Sequence, residues 1–152
     1  MSDLHEKFSN YLIEKKQRYT QQKKDIVMAI LEKKDHFEID EFISTVHLKG
    51  QRLARATVYR TIKQLLDANL IQKINAGNGR IYYEYNEDLN HHDHIICNQC
   101  GRIMEIKNSD LDTLINNECE TIGFNPEYRS LHIYGVCKEF EIYGVCKASN
   151  TK

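Results

Sequence analysis

Residues His91, His92, Asp93, His94, Ile95, Ile96, Cys97, Asn98, Gln99 and Cys100 place three imidazoles, a carboxylate and two thiols in ten consecutive positions. Such a run suits neither an apolar core nor a solvated face, and it has a direct reading as metal-binding chemistry of two kinds. Imidazole and carboxylate suit borderline divalent metals such as Fe²⁺, Zn²⁺ or Mn²⁺, whereas the Cys97-x-x-Cys100 thiolates suit tetrahedral Zn²⁺. The pairing implies one metal that holds structure and one that exchanges. Cys137 supplies a third thiol and Cys146 is the expected fourth. Cys119 falls on the apolar face of a helical pattern, which predicts a buried free thiol rather than a ligand. A redox role for Cys97-x-x-Cys100 is the weaker reading, because such pairs usually open a helix and this one sits in a strand turn.

Side chains alternate along a strand, so His92 and His94 share one face while His91 and Asp93 share the other. Two imidazoles leave a divalent ion short of donors. The candidates to complete the set are Glu105 on a neighbouring strand, Glu84 at the end of a hairpin, and His36 between helices. A metal held by His36 and Glu84 together with His92, His94 and Glu105 would staple the two halves of the chain. His36 by itself has an alternative reading as a helix cap or packing residue, and His5 and His47 are read as structural.

The elements that must position these groups follow from periodicity. Leu4, Phe8 and Leu12 predict a first helix, and Ile26, Val27, Ile30 and Leu31 a second, with Thr20 as its N-cap. Phe42, Ile43 and Val46 predict a short third helix after His36. Val58, Ile62, Leu65 and Leu66 predict a fourth that ends near Leu70. Then the period becomes that of strands, in residues 70–74 and 80–85, around Asn78-Gly79, a strong hairpin signal. A hairpin directly after a recognition helix is the wing of a winged helix. Residues 86–90 are polar and without apolar period, which sets a boundary there. Beyond it the pattern predicts strands at 94–97 and 102–106, a helix started by Ser109 or Asp110 and closed by Gly123, and a strand from Tyr128 to Val136. Residues 133–138, Ile-Tyr-Gly-Val-Cys-Lys, recur as residues 142–147. This block is too short for a repeat fold; it is a local duplication that supplies a second cysteine.

The net charge of −1 conceals an asymmetry. Residues 1–80 hold fifteen Lys/Arg against ten Asp/Glu, and residues 81–152 hold six against twelve. A basic half joined to an acidic, ligand-rich half is the pattern of a nucleic-acid reader coupled to a sensor. On the fourth helix Thr57, Tyr59 and Arg60 are placed to reach base edges and phosphates, with Arg52, Arg55 and Lys63 around them, and Arg18 to reach phosphate or a minor groove. No apolar stretch approaches the ~20 residues of a membrane span. The start, Met-Ser-Asp-Leu-His-Glu, lacks the pattern of a secretory signal. The expectation is a cytoplasmic protein, in which five cysteines favour metal or free thiol over disulfides. A metallohydrolase using Glu87 or Asp88 as base, or a metal buffer, would leave the winged helix unexplained.

The order Tyr19-Thr20, His36, Ala56-Thr57-Val58-Tyr59-Arg60-Thr61, His91-His92-Asp93-His94-x-x-Cys97-x-x-Cys100-Gly101, Glu105 and Tyr134-Gly135-x-Cys137 resembles the ferric uptake regulator superfamily, over residues 10 to 138. The resemblance implies an α+β chain: a winged helix-turn-helix DNA-binding domain at 1–86, a hinge at 87–90, and a small α/β dimerisation and metal-binding domain at 91–152. It implies a non-enzymatic, metal-responsive repressor of iron-uptake genes, a homodimer acting on a palindromic double-stranded DNA operator, with no membrane or small-molecule substrate. The implied regulatory site is His36, Glu84, His92, His94 and Glu105, taking Fe²⁺ with Zn²⁺ or Mn²⁺ able to substitute. The implied structural zinc site is Cys97, Cys100, Cys137 and a further cysteine. DNA contacts fall to Arg18, Thr57, Tyr59 and Arg60. Glu105 separates the chain from the peroxide-sensing branch, which carries aspartate there; peroxide, zinc or manganese response are the alternatives. Three departures stand out. The family's usual places for the fourth zinc cysteine hold Phe140 and Ile142, so Cys146 must substitute. A third, weaker site would use His91, Asp93 and Asp112, but the family's histidine partner is Arg129 here. Lys23 replaces an arginine common after the Thr20 position.

Overall fold

The structure, a computed structural model, describes residues 3–33, 36–76, 79–85, 93–127 and 129–146. The chain divides into two compact units, one of residues 1–75 with 81–87, the other of residues 76–80 with 88–152.

In the first unit four helices, α1 (Asp3–Glu14), α2 (Gln21–Glu32), α3 (Ile39–Leu48) and α4 (Arg55–Asp67), precede a hairpin of β1 (Ile71–Asn75) and β2 (Ile81–Tyr85). Leu4, Phe8 and Leu12, spaced by four, are fully buried along one stripe of α1. They join Ile26, Val27 and Ile30 of α2, Phe42 and Val46 of α3, and Val58, Ile62 and Leu65 of α4 in a single core. Each such side chain contributes roughly 1.5–3 kcal/mol by burial. Thr20 stands at the N-cap of α2 with extended backbone, but its side chain makes no capping bond. The end of α4 is closed by the Leu70 N–H donating to Leu65 O at 2.9 Å, and β1 starts at once. Antiparallel pairing runs from Ile71 opposite Tyr85 to Asn75 opposite Ile81. This is a winged helix-turn-helix.

The second unit contains β3 (Asp93–Cys97), β4 (Ile103–Ile106), α5 (Ser109–Thr121), β5 (His132–Gly135) and α6 (Lys138–Tyr143). Its sheet has the order β4-β3-β5, with β4 antiparallel and β5 parallel to the central β3. A parallel pair needs a crossover, which α5 provides. Two expectations change. Asn108, not Ser109 or Asp110, caps α5, accepting from the Asp110 and Leu111 N–H groups at 2.9 and 3.1 Å; its side chain reaches both orphan amides of the first turn. The last strand spans 132–135 rather than 128–136, and Tyr128 lies outside the described residues. Both faces of β3 are covered, so the alternation of its side chains does not appear as alternating burial. Asp93 and His94 are both buried, as befits a central strand, and only Ile95 is exposed. The closure at Gly123 holds: Gly123 N–H donates to Glu120 O and Phe124 N–H to Cys119 O, the paired bonds of a Schellman end.

Among the described residues no helix is long and apolar enough to cross a membrane.

Candidate metal centres and nucleic-acid interface

Four thiols from three separate stretches of the second unit converge. Cys97 ends β3, Cys100 closes the turn after it, Cys137 caps α6, and Cys146 follows α6. Their sulfurs all lie within 4.8 Å of one another. Cys97 and Cys146 are 3.9 Å apart, as are Cys100 and Cys137. A tetrahedron with Zn–S bonds of ~2.3 Å has edges of about 3.8 Å, so both the donor set and the spacing fit Zn²⁺. Gly144 makes the fourth donor possible. Its φ of +67° ends α6 in the left-handed region and turns the chain back within two residues of Cys146. Cys119 stays outside the cluster and is half-buried, less covered than its helical pattern predicts.

Burial pushes the Cys97 thiol up, but backbone N–H groups of Cys100, Cys137 and Gln99 together outweigh it and hold the group at about 6. The Cys137 N–H reaches Cys97 Sγ at 3.4 Å. Cys137 is pushed up to about 11, first by its hydrogen bond to Cys97 and then by burial. Burial, with hydrogen bonds to its neighbours, pushes Cys146 up to about 12. One thiolate in the cluster thus discourages the next, until a dication compensates all of them.

The nitrogen–oxygen donors form a pair in each unit. In the first, an isolated antiparallel bridge ties the α2–α3 connection to the wing: Phe37 N–H donates to Tyr83 O at 2.9 Å and Tyr83 N–H to Phe37 O at 2.8 Å. This bridge sets His36 beside Glu84, with His36 Nε2 3.4 Å from Glu84 Oε1 and both side chains largely covered. Gln72, opposite Glu84 in the hairpin register, donates from Nε2 to Glu84 Oε2 at 2.9 Å. One carboxylate oxygen is therefore fixed by Gln72 while the other faces His36. In the second unit His94 stands opposite Glu105 across the β3–β4 pair. His92, expected in the same set, lies outside the described residues, as does His91.

His132 escaped the sequence reading. It is opposite His94 in the β3–β5 register, and the two rings are 5.6 Å apart. Only the parallel pairing of β5 brings them together, and nothing local signals it. His5 and His47 make structural contacts, as expected. His5 Nδ1 is 2.5 Å from the Tyr19 hydroxyl, and His47 Nε2 is 3.1 Å from Leu53 O.

Asp93 and Asp112, expected in a weaker third metal site with His91, instead hold Arg129. Its Nε and Nη2 donate to Asp93 Oδ1 and Oδ2 at 3.2 and 2.6 Å, and Nη2 donates to Asp112 Oδ1 at 2.5 Å. The residues present do not fit a metal there, because a cation that cannot lose its proton already lies on both carboxylates.

The DNA-facing candidates separate into two groups. Arg18, Thr57 and Arg60 line an open cavity of about 930 Å³, with Lys23 and Lys63 beside them. Lys23 is itself buried, and its Nζ donates to Arg18 O at 3.2 Å. Burial, and then the neighbouring Arg60 charge, push the Lys23 ammonium down. Tyr59 belongs to a different cluster: its hydroxyl donates to Asp40 Oδ1 at 3.0 Å, and Arg55 pairs with the same oxygen at 2.9 Å. Asp40, unnoticed in the sequence, thus steadies the ring of a predicted DNA-reading residue.

With these centres placed, comparison with known proteins decides the family. The family model described as the ferric uptake regulator family matches residues 14–134. The chain belongs to the ferric uptake regulator family. This member is 29% identical over 115 residues to the ferric uptake regulation protein of Neisseria gonorrhoeae, covering 74% of this chain and 79% of the relative. It superposes on the ferric uptake regulator of Francisella tularensis solved with iron at a TM-score of 0.65, with 31% identity over 82% of this chain and 94% of that one. The fold is also that of the Pseudomonas aeruginosa ferric uptake regulator solved with manganese, at a TM-score of 0.75 and 21% identity, covering 86% of this chain and 97% of that one. Regulators of metal-responsive transcription make up the relatives of this ferric uptake regulator family chain.

Proposed function

We propose that the chain is a cytoplasmic, non-enzymatic repressor of iron-uptake genes that binds a palindromic operator as a homodimer when a regulatory Fe²⁺ is bound. The observation that carries this reading is the His36–Glu84 pair, because it places metal-ligand chemistry at the base of the wing of a DNA-reading unit. His36 and Glu84 from the DNA-binding domain (1–86), and His92, His94 and Glu105 from the dimerisation domain (91–152), form the regulatory set on either side of a hinge at 87–90. Cys97, Cys100, Cys137 and Cys146 form the structural zinc set. A divalent metal held by these residues would supply a shared Lewis acid for imidazole and carboxylate donors. Residues so held would select the half-site spacing that a palindrome requires.

On the DNA side Arg18, Arg60 and the cavity lysines supply phosphate contacts, Thr57 lines the same cavity, and Tyr59 supplies a base-edge contact. Homodimer formation is supported by apolar surface on the second unit: Ile133 and Tyr134 on β5, and Leu114, Ile122 and Phe124 on or beside α5, all stand exposed. Fe²⁺ is favoured by Glu105, where the resemblance places an aspartate in peroxide sensors; Zn²⁺ and Mn²⁺ are the substitutes its donor set allows.

Selection from a randomised duplex library with the Fe²⁺-loaded chain should enrich an inverted repeat. Arg60→Ala should weaken binding to it by about tenfold, with a shallower salt dependence. Enrichment of no sequence, or the same enrichment with metal removed, would overturn the proposal.

A further inference from the structure

We infer that Arg129 is a built-in guanidinium strut that locks β3 to α5 and fills with its own charge the place where two carboxylates could otherwise receive a dication. Asp93 is the first residue of β3. Its side chain is 2% exposed, and an ionised carboxylate at that depth requires a partner cation. Both of its oxygens receive a guanidinium N–H, one from Nε and one from Nη2, the two-pronged match between planar groups. The same Nη2 also reaches Asp112, one turn into α5. Arg129 is itself largely covered, at 15% exposure, and its hydrogen bond to Asp93 holds its pKa above the usual arginine value.

Three segments distant in sequence thus meet on one cation: the first residue of β3, the first turn of α5, and the connection before β5. Two carboxylates converging on one charge form half of a divalent-metal site. A histidine at 129 would leave that half open to a dication, whereas arginine fills it permanently. The strut's occupancy does not depend on metal supply, and His94, next to Asp93 on β3, sits on a strand already anchored to its helix. On the proposed function, the strut leaves the thiolate cluster and the regulatory set to take metal. The inference concerns the second unit alone, and an operator assay that failed would leave it standing.

Metal content and thermal unfolding of the full chain test it. After equilibration with Co²⁺ and removal of excess, Arg129→His should carry one more equivalent than the wild type, and the added equivalent should vanish in Arg129→His combined with Asp112→Asn. In the wild type, Asp112→Asn alone should leave metal content unchanged while lowering the thermal midpoint. Arg129→Gln should lower that midpoint by roughly 10 °C, with no recovery in excess divalent metal. Arg129→Lys should fall between, keeping charge but losing the fork. Loss of an equivalent in Asp112→Asn would overturn the inference, because the carboxylate would then be a metal ligand. An unchanged midpoint in Arg129→Gln would overturn it too. Should Arg129→His not fold, these last two measurements still decide.

Discussion

Replacing Cys97 by serine should dissolve the second unit rather than trim its stability. Structural zinc sites of this donor type contribute about 10–16 kcal/mol at neutral pH, against about 5–15 kcal/mol for the whole stability of a domain. Among its described residues the second unit has little apolar core to fall back on. No residue of α5 or α6 is fully buried, and β3 supplies Ile96 as its one buried aliphatic side chain. The cysteines link the end of β3, the following turn and both flanks of α6, so losing one ligand releases all of these. The expected result is loss of zinc, loss of the dimer in sedimentation, and loss of the second unit's share of secondary structure. Cys146→Ser should do the same and is the sharper test, because this ligand lies at an unusual spacing. Cys119→Ser should leave zinc content unchanged. Acid should act in the same direction as the ligand mutants. Binding needs thiolates, and Cys137 and Cys146 are held near 11 and 12, so they must shed protons to bind, and affinity falls as pH falls. A folded, dimeric, zinc-free Cys97→Ser protein would contradict the structural role.

Replacing His36 by alanine should have the opposite character, leaving the fold and zinc intact while removing the response to metal. His36 sits in the connection between α2 and α3, outside the apolar core, and its neighbour Phe37 keeps the bridge to Tyr83. Moving an ensemble from 1:99 to 99:1 takes about 5.5 kcal/mol of differential binding, and losing that shift reduces apparent affinity by about 100-fold. His36→Ala with Fe²⁺ should therefore bind operator as weakly as the metal-free wild type, with an unchanged thermal midpoint. Glu84→Gln should behave similarly, since it keeps the shape and the bond from Gln72 but removes the charge. Wild-type metal dependence in either variant would remove that residue from the site.

Much of this was legible along the chain, because the decisive signals are local. Leu4, Phe8 and Leu12 announce α1 by spacing alone, and the run from His91 to Cys100 announces its chemistry by composition. What escaped depends on pairing or on tertiary context. His132 is brought beside His94 by a parallel register, which no local pattern encodes. Asp40 meets Tyr59 from another helix. Arg129 was visible as a departure from the family pattern, yet only the geometry shows it seated on both carboxylates. The duplicated block makes the point most directly. Ile133-Tyr134-Gly135 lies in β5, whereas the identical Ile142-Tyr143-Gly144 ends α6, so the same residues adopt strand in one copy and helix end in the other. Pairing with β3 decides the first copy, and the left-handed glycine after a short helix decides the second. Both copies nevertheless deliver their cysteine to the same cluster.

In the proposed function a divalent metal on histidine and carboxylate ligands, separate from the cysteine cluster, switches on operator binding. Its most direct test is an anaerobic titration of the selected operator by the zinc-loaded wild type, with Fe²⁺, Mn²⁺ or Zn²⁺ added and metal content assayed on the same samples. Tight binding should appear in step with one additional metal per protomer and disappear on mild chelation that leaves the cysteine-bound zinc in place. Equal operator affinity before and after that additional metal binds would contradict the account.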